Sequence, residues 1–394
     1  MKIVGNSLFQ KAANSALILN YLRTHTSCSR QQMAEKLGLQ PSTVSYIVNR
    51  LIKAKLVEEI KAPVPKTKGS GRRPIQVQLI PEFGYVIGLD LQVDYYCTVV
   101  CDVSGRVLKS SKKEYISGKH DFKSLLIQSV EDVRKTLDPH IPVLGMGLAI
   151  PGVVNRQTSF VKDSWTHNLK NSSLLEFLDE TFPFPVVIEN DANCCAQNIL
   201  WNHPDNESDS FIYLLSRFHQ RNMVPENLPS IGVGLGLVLN GELYNGVSDE
   251  AGEYQSILYT KERQLKWQLS LSEEEMDRAL VDSDVQKDIL EELMGNMTLI
   301  LKILNPRALY IGGDLASNSE EIWNILRSEF SENLYALEKK NCTMKVVNDG
   351  VYDPARGAAA CMLSELYAIP QVGNGQQDKK KWNTLLSNVV EVNP

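Results

Sequence analysis

The charges of this chain are divided between a basic N-terminal segment and an acidic remainder. The first 79 residues contain 13 Lys and Arg against three acidic residues, a net charge of +10, whereas the whole chain of 394 residues carries −6. The remaining residues therefore carry −16. This division predicts a small nucleic-acid-binding head joined to a body of different function. A like-charged run can also be only a solvated surface, so the residue pattern has to decide.

Helical patterns come first in the basic head. Apolar residues at helical spacing predict one helix near Ala12–Leu22 and a second over Arg30–Leu37. Ser29 stands where the second helix needs an N-cap, and Gly38 stands where its exit needs a left-handed residue. Two helices that are separated by so short a connection predict a helix-turn-helix.

The third helix, roughly Pro41–Lys53, is predicted to be the recognition helix of this motif. One face is an apolar stripe formed by Val44, Ile47, Val48 and Leu51. The opposite face carries Ser42, Thr43, Ser45, Tyr46, Asn49 and Arg50. A hydrogen-bonding surface of this width fits a DNA major groove, so these six residues are the expected base-reading set.

Two short strands with a basic loop between them indicate a wing. The loop carries Lys68, Arg72 and Arg73 beside glycines and prolines, which would let an extended backbone enter a minor groove. The alternative is a flexible hairpin that contacts only phosphates. The pattern of the whole head favours binding to double-stranded DNA over binding to another protein.

The acidic body alternates predicted strands with predicted helices, which is typical of the α/β class. No stretch has the length of a membrane span, and Met1–Phe9 lacks the order of charged and apolar residues that a signal peptide has. Seven irregularly spaced cysteines fit the reducing cytoplasm better than a disulfide framework. We therefore expect a cytoplasmic protein that does not enter a membrane.

Three stretches of the body resemble the ROK family (repressors, open reading frames and sugar kinases). They are Glu189–Asn193, Gly232–Gly236 and the triplet Ala251-Gly252-Glu253. With the winged head in front, the chain is similar to the xylose-repressor and N-acetylglucosamine-repressor type. The resemblance implies a two-lobed actin-like or hexokinase-like fold, related to RNase H, with a sugar bound between the lobes. It divides the chain into a head (1–80), a first lobe (81–200, with 353–369 returning to it), a second lobe (201–352) and a polar tail (370–394).

The same resemblance implies which residues contact an effector. In ROK kinases the residue that matches Asp191 is the general base, and Asn190 stands beside it as a neutral hydrogen-bonding partner. Glu253 matches a carboxylate that contacts sugar hydroxyls. Asn190 and Asp191 could instead only cap the helix behind them, and Glu253 could be a surface residue.

This sequence departs from the kinases of the family at the nucleotide site. ROK kinases follow the Asp that matches Asp90 with a Gly-Gly-Thr turn, which approaches the ATP phosphates. Here Gln92, Val93 and Asp94 bring bulk and negative charge to that turn. Gly232–Gly236 persists, but it could be only a tight hairpin. We therefore expect no ATP cofactor and no kinase activity.

The zinc motif of the family is absent as well. Ser256 stands where the resemblance implies a histidine ligand, and no cysteine occurs between Cys195 and Cys342. No metal is therefore expected. Both Trp165 and Trp201 are expected to pack in the core rather than stack on a sugar, and Cys194 and Cys195 are expected to be buried.

The features together predict a homodimeric transcriptional regulator that represses carbohydrate-metabolism genes and responds to a small sugar. Two alternatives stay open from the sequence. One is an ATP-dependent sugar kinase with a DNA-binding head, in which Asp191 is catalytic. The other is a DNA-binding protein whose body serves only as a scaffold.

Overall fold

The computed structural model describes residues 7–61, 75–115, 121–203, 210–223, 230–258, 268–331, 339, 341–347 and 350–369. They form a winged helix-turn-helix head and two α/β lobes, which confirms the predicted fold class. Within these ranges no helix combines the length and the apolar composition that a membrane crossing needs. All seven cysteines, including Cys194 and Cys195, are buried and none forms a disulfide.

The head contains three helices and one antiparallel hairpin. The helices are α1 (Ser7–Thr24), α2 (Arg30–Leu37) and α3 (Pro41–Lys53), and the strands are β1 (Val57–Lys61) and β2 (Ile75–Leu79). The apolar stripe predicted for α3 is fully buried in the core of the head. The polar face of α3 is left toward solvent.

The caps of α2 form as the sequence predicted. The Ser29 hydroxyl accepts a hydrogen bond from the backbone N–H of Gln32, whose side chain accepts one from the backbone N–H of Ser29. Gly38 takes the left-handed conformation, with φ +64°. One predicted boundary was wrong: α1 extends beyond Ala12–Leu22 at both ends. Strand β1 starts at Val57, two residues after Lys55, which has a left-handed backbone conformation.

The first lobe is built on a five-stranded sheet with a smaller sheet beside it. Its strands in chain order are β3 (Tyr85–Leu91), β4 (Tyr95–Cys101), β5 (Val107–Glu114), β6 (Val143–Ile150), then β7 (Val153–Asn155), β8 (Phe160–Ser164) and β9 (Leu169–Ser173), and finally β10 (Val186–Asn190). Strands β7 to β9 form the small antiparallel sheet, which the sequence pattern did not predict. Helices α4 (Phe122–Arg134), α5 (Leu175–Thr181) and α6 (Asp191–Asn202) belong to the same stretch of chain.

The second lobe repeats this plan. Its strands are β11 (Phe211–Phe218), β12 (Ile231–Leu239), β13 (Glu242–Leu243), β14 (Ala308–Gly313) and β15 (Thr343–Val346). Its helices are α7 (Glu273–Arg278), α8 (Ser283–Leu304) and α9 (Ser319–Glu329), and α10 (Asp353–Leu366) follows. Both five-stranded sheets have the spatial order third, second, first, fourth, fifth, counted along the chain within each sheet. A duplicated sheet of this order is what the expected actin-like fold requires.

Helices α6 and α10 pack against each other at the centre of the molecule. Helix α10 also covers the first sheet and approaches it closely at Gly147. A Cβ on Gly147 would lie 1.7 Å from the carbonyl oxygen of Ala358, so no side chain fits at this position. Helix α6 packs on β11 and β12 of the second lobe. Helices α6 and α10 therefore form a packed connection between the first sheet and the second.

The glycine-rich stretch Gly232–Gly236 lies inside strand β12, so its interpretation as a hairpin turn was wrong. A Cβ at Gly236 would lie 2.5 Å from the carbonyl oxygen of Ala192, and one at Gly234 would lie 3.0 Å from the Ala192 Cβ. The absent side chains let the first turn of α6 lie directly on the strand.

Candidate functional site

The polar face of α3 is available at the surface of the head. Ser42, Tyr46 and Asn49 are exposed, and Thr43, Ser45 and Arg50 are half-buried. Arg30 of α2 donates from its Nη2 to the Asn49 Oδ1 at 2.8 Å and to the Glu59 Oε1 at 2.8 Å. It therefore restrains Asn49 on this face. The Tyr46 ring lies 5.8 Å from the Lys11 Nζ. The predicted wing residues Lys68, Arg72 and Arg73 lie outside the described residues, as does the tail 370–394.

The head is attached to the body through α1. The Arg23 guanidinium lies 3.7 Å from the centroid of the Trp201 ring and donates to the Trp201 carbonyl oxygen at 2.9 Å. Nearby, the Asn20 amide donates to the carbonyl oxygen of Tyr367 at 2.8 Å. Trp201 is the second-to-last residue of α6, and Tyr367 directly follows α10. The head thus rests on the C-terminal ends of the two central helices, and its core is continuous with theirs.

A cleft of about 420 Å³ separates the two lobes. From the first lobe it is lined by Gln92, Gly152, Trp165, Asn190 and Asp191. From the second lobe it is lined by Arg217, His219, Gly232, Gly234, Glu253 and Gln268. The structure therefore brings the three predicted effector residues, Asn190, Asp191 and Glu253, to one cavity, whose size lies in the range of small-molecule sites.

Asn190 and Asp191 form the N-terminal end of α6. Asn190 is the N-cap: its Oδ1 accepts from the backbone N–H of Asn193 at 3.1 Å, and its Nδ2 donates to the Gly152 carbonyl oxygen at 2.9 Å. Asp191 is buried, and one of its carboxylate oxygens accepts from the backbone N–H of Ala192 at 3.0 Å. Burial raises the pKa of Asp191, and the charge of Arg217 opposes that rise. Asn190 and Asp191 therefore bind backbone N–H groups at the start of α6 and line the cleft at the same time.

Glu253 reaches the cleft from the loop that follows β13. Gly252 makes this possible: its φ of +99° favours glycine, and a Cβ there would lie 1.9 Å from the Leu235 carbonyl oxygen. The backbone of Glu253 forms a β-bridge with Gly234 of β12, and Glu253 is a solvent-exposed residue of the cleft lining. The pKa of Glu253 is raised to about 7. The larger cause is desolvation of the carboxylate, and the second is the negative charge of Asp191.

A buried ion pair joins the two lobes at the inner end of the cleft. The Arg217 Nη2 of β11 lies 3.4 Å from the Asp90 Oδ2 of β3, and the Gln92 Nε2 donates to the Asp90 Oδ1 at 2.7 Å. Burial raises the pKa of Asp90 to about 7 against the opposing effect of Arg217. A second inter-lobe contact lies next to it, where the His219 Nδ1 is 3.0 Å from the Asp94 Oδ1. Sequence reasoning missed Arg217 and His219, although an arginine inside the apolar run of β11 was a visible signal.

The two tryptophans have different surroundings. Trp201 is buried as expected, but Trp165 is 61% exposed at the mouth of the cleft, so its assignment to the core was wrong. Trp165 lies in the turn between β8 and β9, the small sheet that was not predicted. The cleft therefore has an aromatic surface beside its carboxylates.

The site does not fit the zinc ion that many members of the resembled family hold. The Ser256 hydroxyl lies within hydrogen-bonding distance of the Leu258 backbone N–H and the Asn296 amide. In the described ranges no group of three His, Cys, Asp or Glu side chains is arranged to hold a metal. The turn after β3 is equally unsuited to nucleotide phosphates, because Asp90 is bound to Arg217 and Asp94 to His219.

Comparison with known proteins agrees with this geometry. Residues 86–263 match the profile of the ROK family. This stretch of the body is a ROK-family domain. Residues 13–66 match the profile of the MarR family, so a MarR-type helix-turn-helix precedes the ROK domain. The predicted family and the predicted winged head are both confirmed.

Several relatives and solved structures are similar to most of this chain. A xylose repressor of Bacillus spizizenii is 26% identical over 399 residues, which cover 93% of this chain and 99% of that protein. The crystal structure of a ROK family transcriptional regulator, a homologue of the E. coli MLC protein, covers 97% of this chain and 100% of its own at 18% identity and a TM-score of 0.71. A ROK family glucokinase from Streptomyces griseus, in complex with glucose and AMPPNP, covers 71% of this chain and 99% of its own at 17% identity and a TM-score of 0.55. These structures show the shared fold.

Proposed function

We propose that the chain is a DNA-binding transcriptional repressor whose operator affinity is controlled by a sugar in the cleft of its ROK domain. One observation carries this proposal. Helix α6 begins at the cleft with Asp191, after its N-cap Asn190, and its last turn contains Trp201, on which the DNA-binding head is docked. A ligand at one end of this helix and the head at the other end share a single rigid element.

The DNA-binding part of the proposal rests on α3. Its exposed face would enter the major groove, with Ser42, Thr43, Ser45, Tyr46, Asn49 and Arg50 as the candidate contacts. Lys68, Arg72 and Arg73 would supply the contacts of the wing. Repressors of this motif read two half-sites, so the proposal includes a homodimer, and operator DNA places it in the cytoplasm.

The effector part of the proposal rests on the cleft. Asp191 and Glu253 offer carboxylate oxygens to sugar hydroxyls, and Asn190 holds the cleft wall formed by Gly152. Trp165 offers an aromatic face for the apolar side of a sugar ring. A sugar that binds residues of both lobes favours one lobe arrangement over the other by its difference in affinity. Because α6 packs on both lobes, that change would reach Arg23 and move the head.

Sugar phosphorylation is the weaker candidate. Asp191 is available to accept a proton from a sugar hydroxyl, and its raised pKa is compatible with a general base. The segment that would hold the phosphates of ATP instead forms an ion pair between Asp90 and Arg217 and a hydrogen-bonding contact between Asp94 and His219. A kinase would have to break both contacts to admit a nucleotide.

Operator binding tests the proposal directly. Purified protein would be mixed with DNA fragments from the region around its own gene, with and without D-xylose, D-glucose and N-acetyl-D-glucosamine. We expect at least one fragment to be bound and one sugar to change its dissociation constant. No specific DNA binding would reject the regulator, and ATP-dependent phosphorylation of a sugar that Asp191→Asn abolishes would establish the kinase instead.

A further inference from the structure

The second lobe places an arginine inside the wall of the cleft. Arg217 is the second-to-last residue of β11 and is 3% exposed, although the other residues of that strand are mostly apolar. Its cross-strand partner in β12 is Gly232, which has no side chain to cover it. Both residues line the cleft, so no side chain of β12 at this register position separates Arg217 from it.

Most of the hydrogen-bonding capacity of Arg217 is unused. Its Nη2 forms the ion pair with Asp90, but its Nε and Nη1 are buried and have no hydrogen-bond partner among the described residues. Buried N–H groups without an acceptor are costly, since their hydration is lost and nothing replaces it. Two donors beside a cleft therefore favour a ligand that brings an acceptor oxygen to them.

The charges around this arginine limit which ligand can do so. Asp90 and Asp191 of the first lobe both lie near Arg217. The charge of Arg217 acts to lower the carboxyl pKa of each of them. Glu253 adds a third carboxylate across the cleft, and the charge of Asp191 already opposes its ionisation. The phosphate group of a sugar ester could accept from Arg217, but it would lie against these carboxylates and, when fully ionised, it has no hydrogen to donate to them. A hydroxyl group can accept from Arg217 and donate to a carboxylate at once.

We propose that Arg217 is a specificity-determining residue of the cleft, which donates from Nε and Nη1 to an oxygen of an uncharged sugar while the surrounding carboxylates reject the phosphate esters of the same sugar. This inference rests on the proposed sugar-binding function and adds the chemical class of the effector to it. It also gives Arg217 two tasks: it neutralises Asp90 and it recognises the ligand.

Calorimetric titration of the full chain at pH 8 tests the inference. The probes are D-xylose, D-glucose and N-acetyl-D-glucosamine, together with the 6-phosphates of the last two. We expect one or more uncharged sugars to bind, and phosphate esters to bind at least about tenfold more weakly than uncharged sugars. Arg217→Gln and Arg217→Lys should each weaken binding of the uncharged sugar by about tenfold or more, because a hydrogen bond to a charged group is lost or distorted. Arg278→Gln, an exposed arginine of the second lobe, is the matched control and should bind as the wild type does.

Two further variants separate ligand contact from a structural role. Asp90→Asn combined with Arg217→Gln removes both charges of the buried pair, so it keeps the test valid if Arg217→Gln alone fails to fold. Glu253→Gln should reduce the preference for the uncharged sugar over its phosphate ester. A phosphate ester that binds more tightly than its parent sugar would overturn the inference, as would wild-type affinity in the folded Arg217 variants. If no probe binds, sugar sensing itself fails and the inference fails with it, whereas sugar binding that ignores Arg217 refutes the inference alone.

Discussion

Removing the Arg23 side chain should separate sugar binding from DNA binding. Arg23 provides two contacts between head and body: a hydrogen bond of 2.9 Å to the Trp201 carbonyl oxygen and a guanidinium placed 3.7 Å from the Trp201 ring centroid. A hydrogen bond to a charged group contributes about 1.5–3 kcal/mol, and a partly desolvated cation–π contact about 1–2 kcal/mol. Arg23→Ala should therefore weaken the docking of the head by about 2.5–5 kcal/mol.

This loss is comparable to the whole effect that a ligand transmits in a typical regulator, about 1–3 kcal/mol or a factor of 5–150 in affinity. A second polar contact between head and body, from Asn20 to the Tyr367 carbonyl oxygen, lies at the end of α10 rather than on α6. We therefore expect the sugar to change the operator dissociation constant of Arg23→Ala by less than about threefold, against the larger wild-type factor.

Fluorescence anisotropy with labelled operator DNA, in the presence and absence of the effector sugar, measures this coupling. Sugar affinity is measured in parallel by calorimetry and should be nearly unchanged, since Arg23 lies at the opposite end of α6 from the cleft. Arg134→Ala makes the same truncation on the exposed surface of α4 and should respond as the wild type does. A full sugar response in Arg23→Ala, with sugar binding intact, would refute the role of α6 as the connection.

Three other predictions address the head, the cleft and the buried charges. Asn49→Ala should weaken operator binding by about 1–3 kcal/mol in anisotropy measurements, while Lys36→Ala on the exposed face of α2 tests for a general charge effect. Gly252→Ala should lower the free energy of unfolding by more than about 1 kcal/mol in urea titrations, because φ is +99° and the new Cβ would meet the Leu235 carbonyl. Gly295→Ala is its control and should stabilise α8 by about 0.5–1 kcal/mol, since nothing lies within 4 Å of the new Cβ. Finally, Asp90 keeps its proton in the folded protein up to its pKa of about 7, whereas the unfolded chain releases it near 3.8. This carboxyl group therefore contributes stability at low pH that is lost as the pH rises from about 4 to 7. Asp90→Asn should remove this part of the pH dependence, and an unchanged pH profile would contradict the assignment.

The sequence by itself determined the local structure of the head. The apolar stripe of α3, the Ser29 cap and the Gly38 exit depend on residues within one or two helical turns of each other, so their physical causes are all visible in the chain. The alternation of strands and helices fixed the α/β class in the same way. Asn190, Asp191 and Glu253 could be named in advance because short motifs carry them.

Only the tertiary structure decided what those residues are near. Arg217 and Asp90 are 127 positions apart in the chain, and their ion pair exists because the two sheets face each other across the cleft. Trp165 was assigned to the core because aromatic side chains are usually buried, yet the turn after β8 leaves it at the cleft mouth. Gly232–Gly236 has the composition of a turn, and it forms a strand because α6 needs a surface without side chains. The contact between Arg23 and Trp201 likewise joins residues 178 positions apart. No local sequence pattern predicts such pairs. They result from the packing of elements that are far apart in the chain, and the number of residues between two elements does not tell how close they are in space.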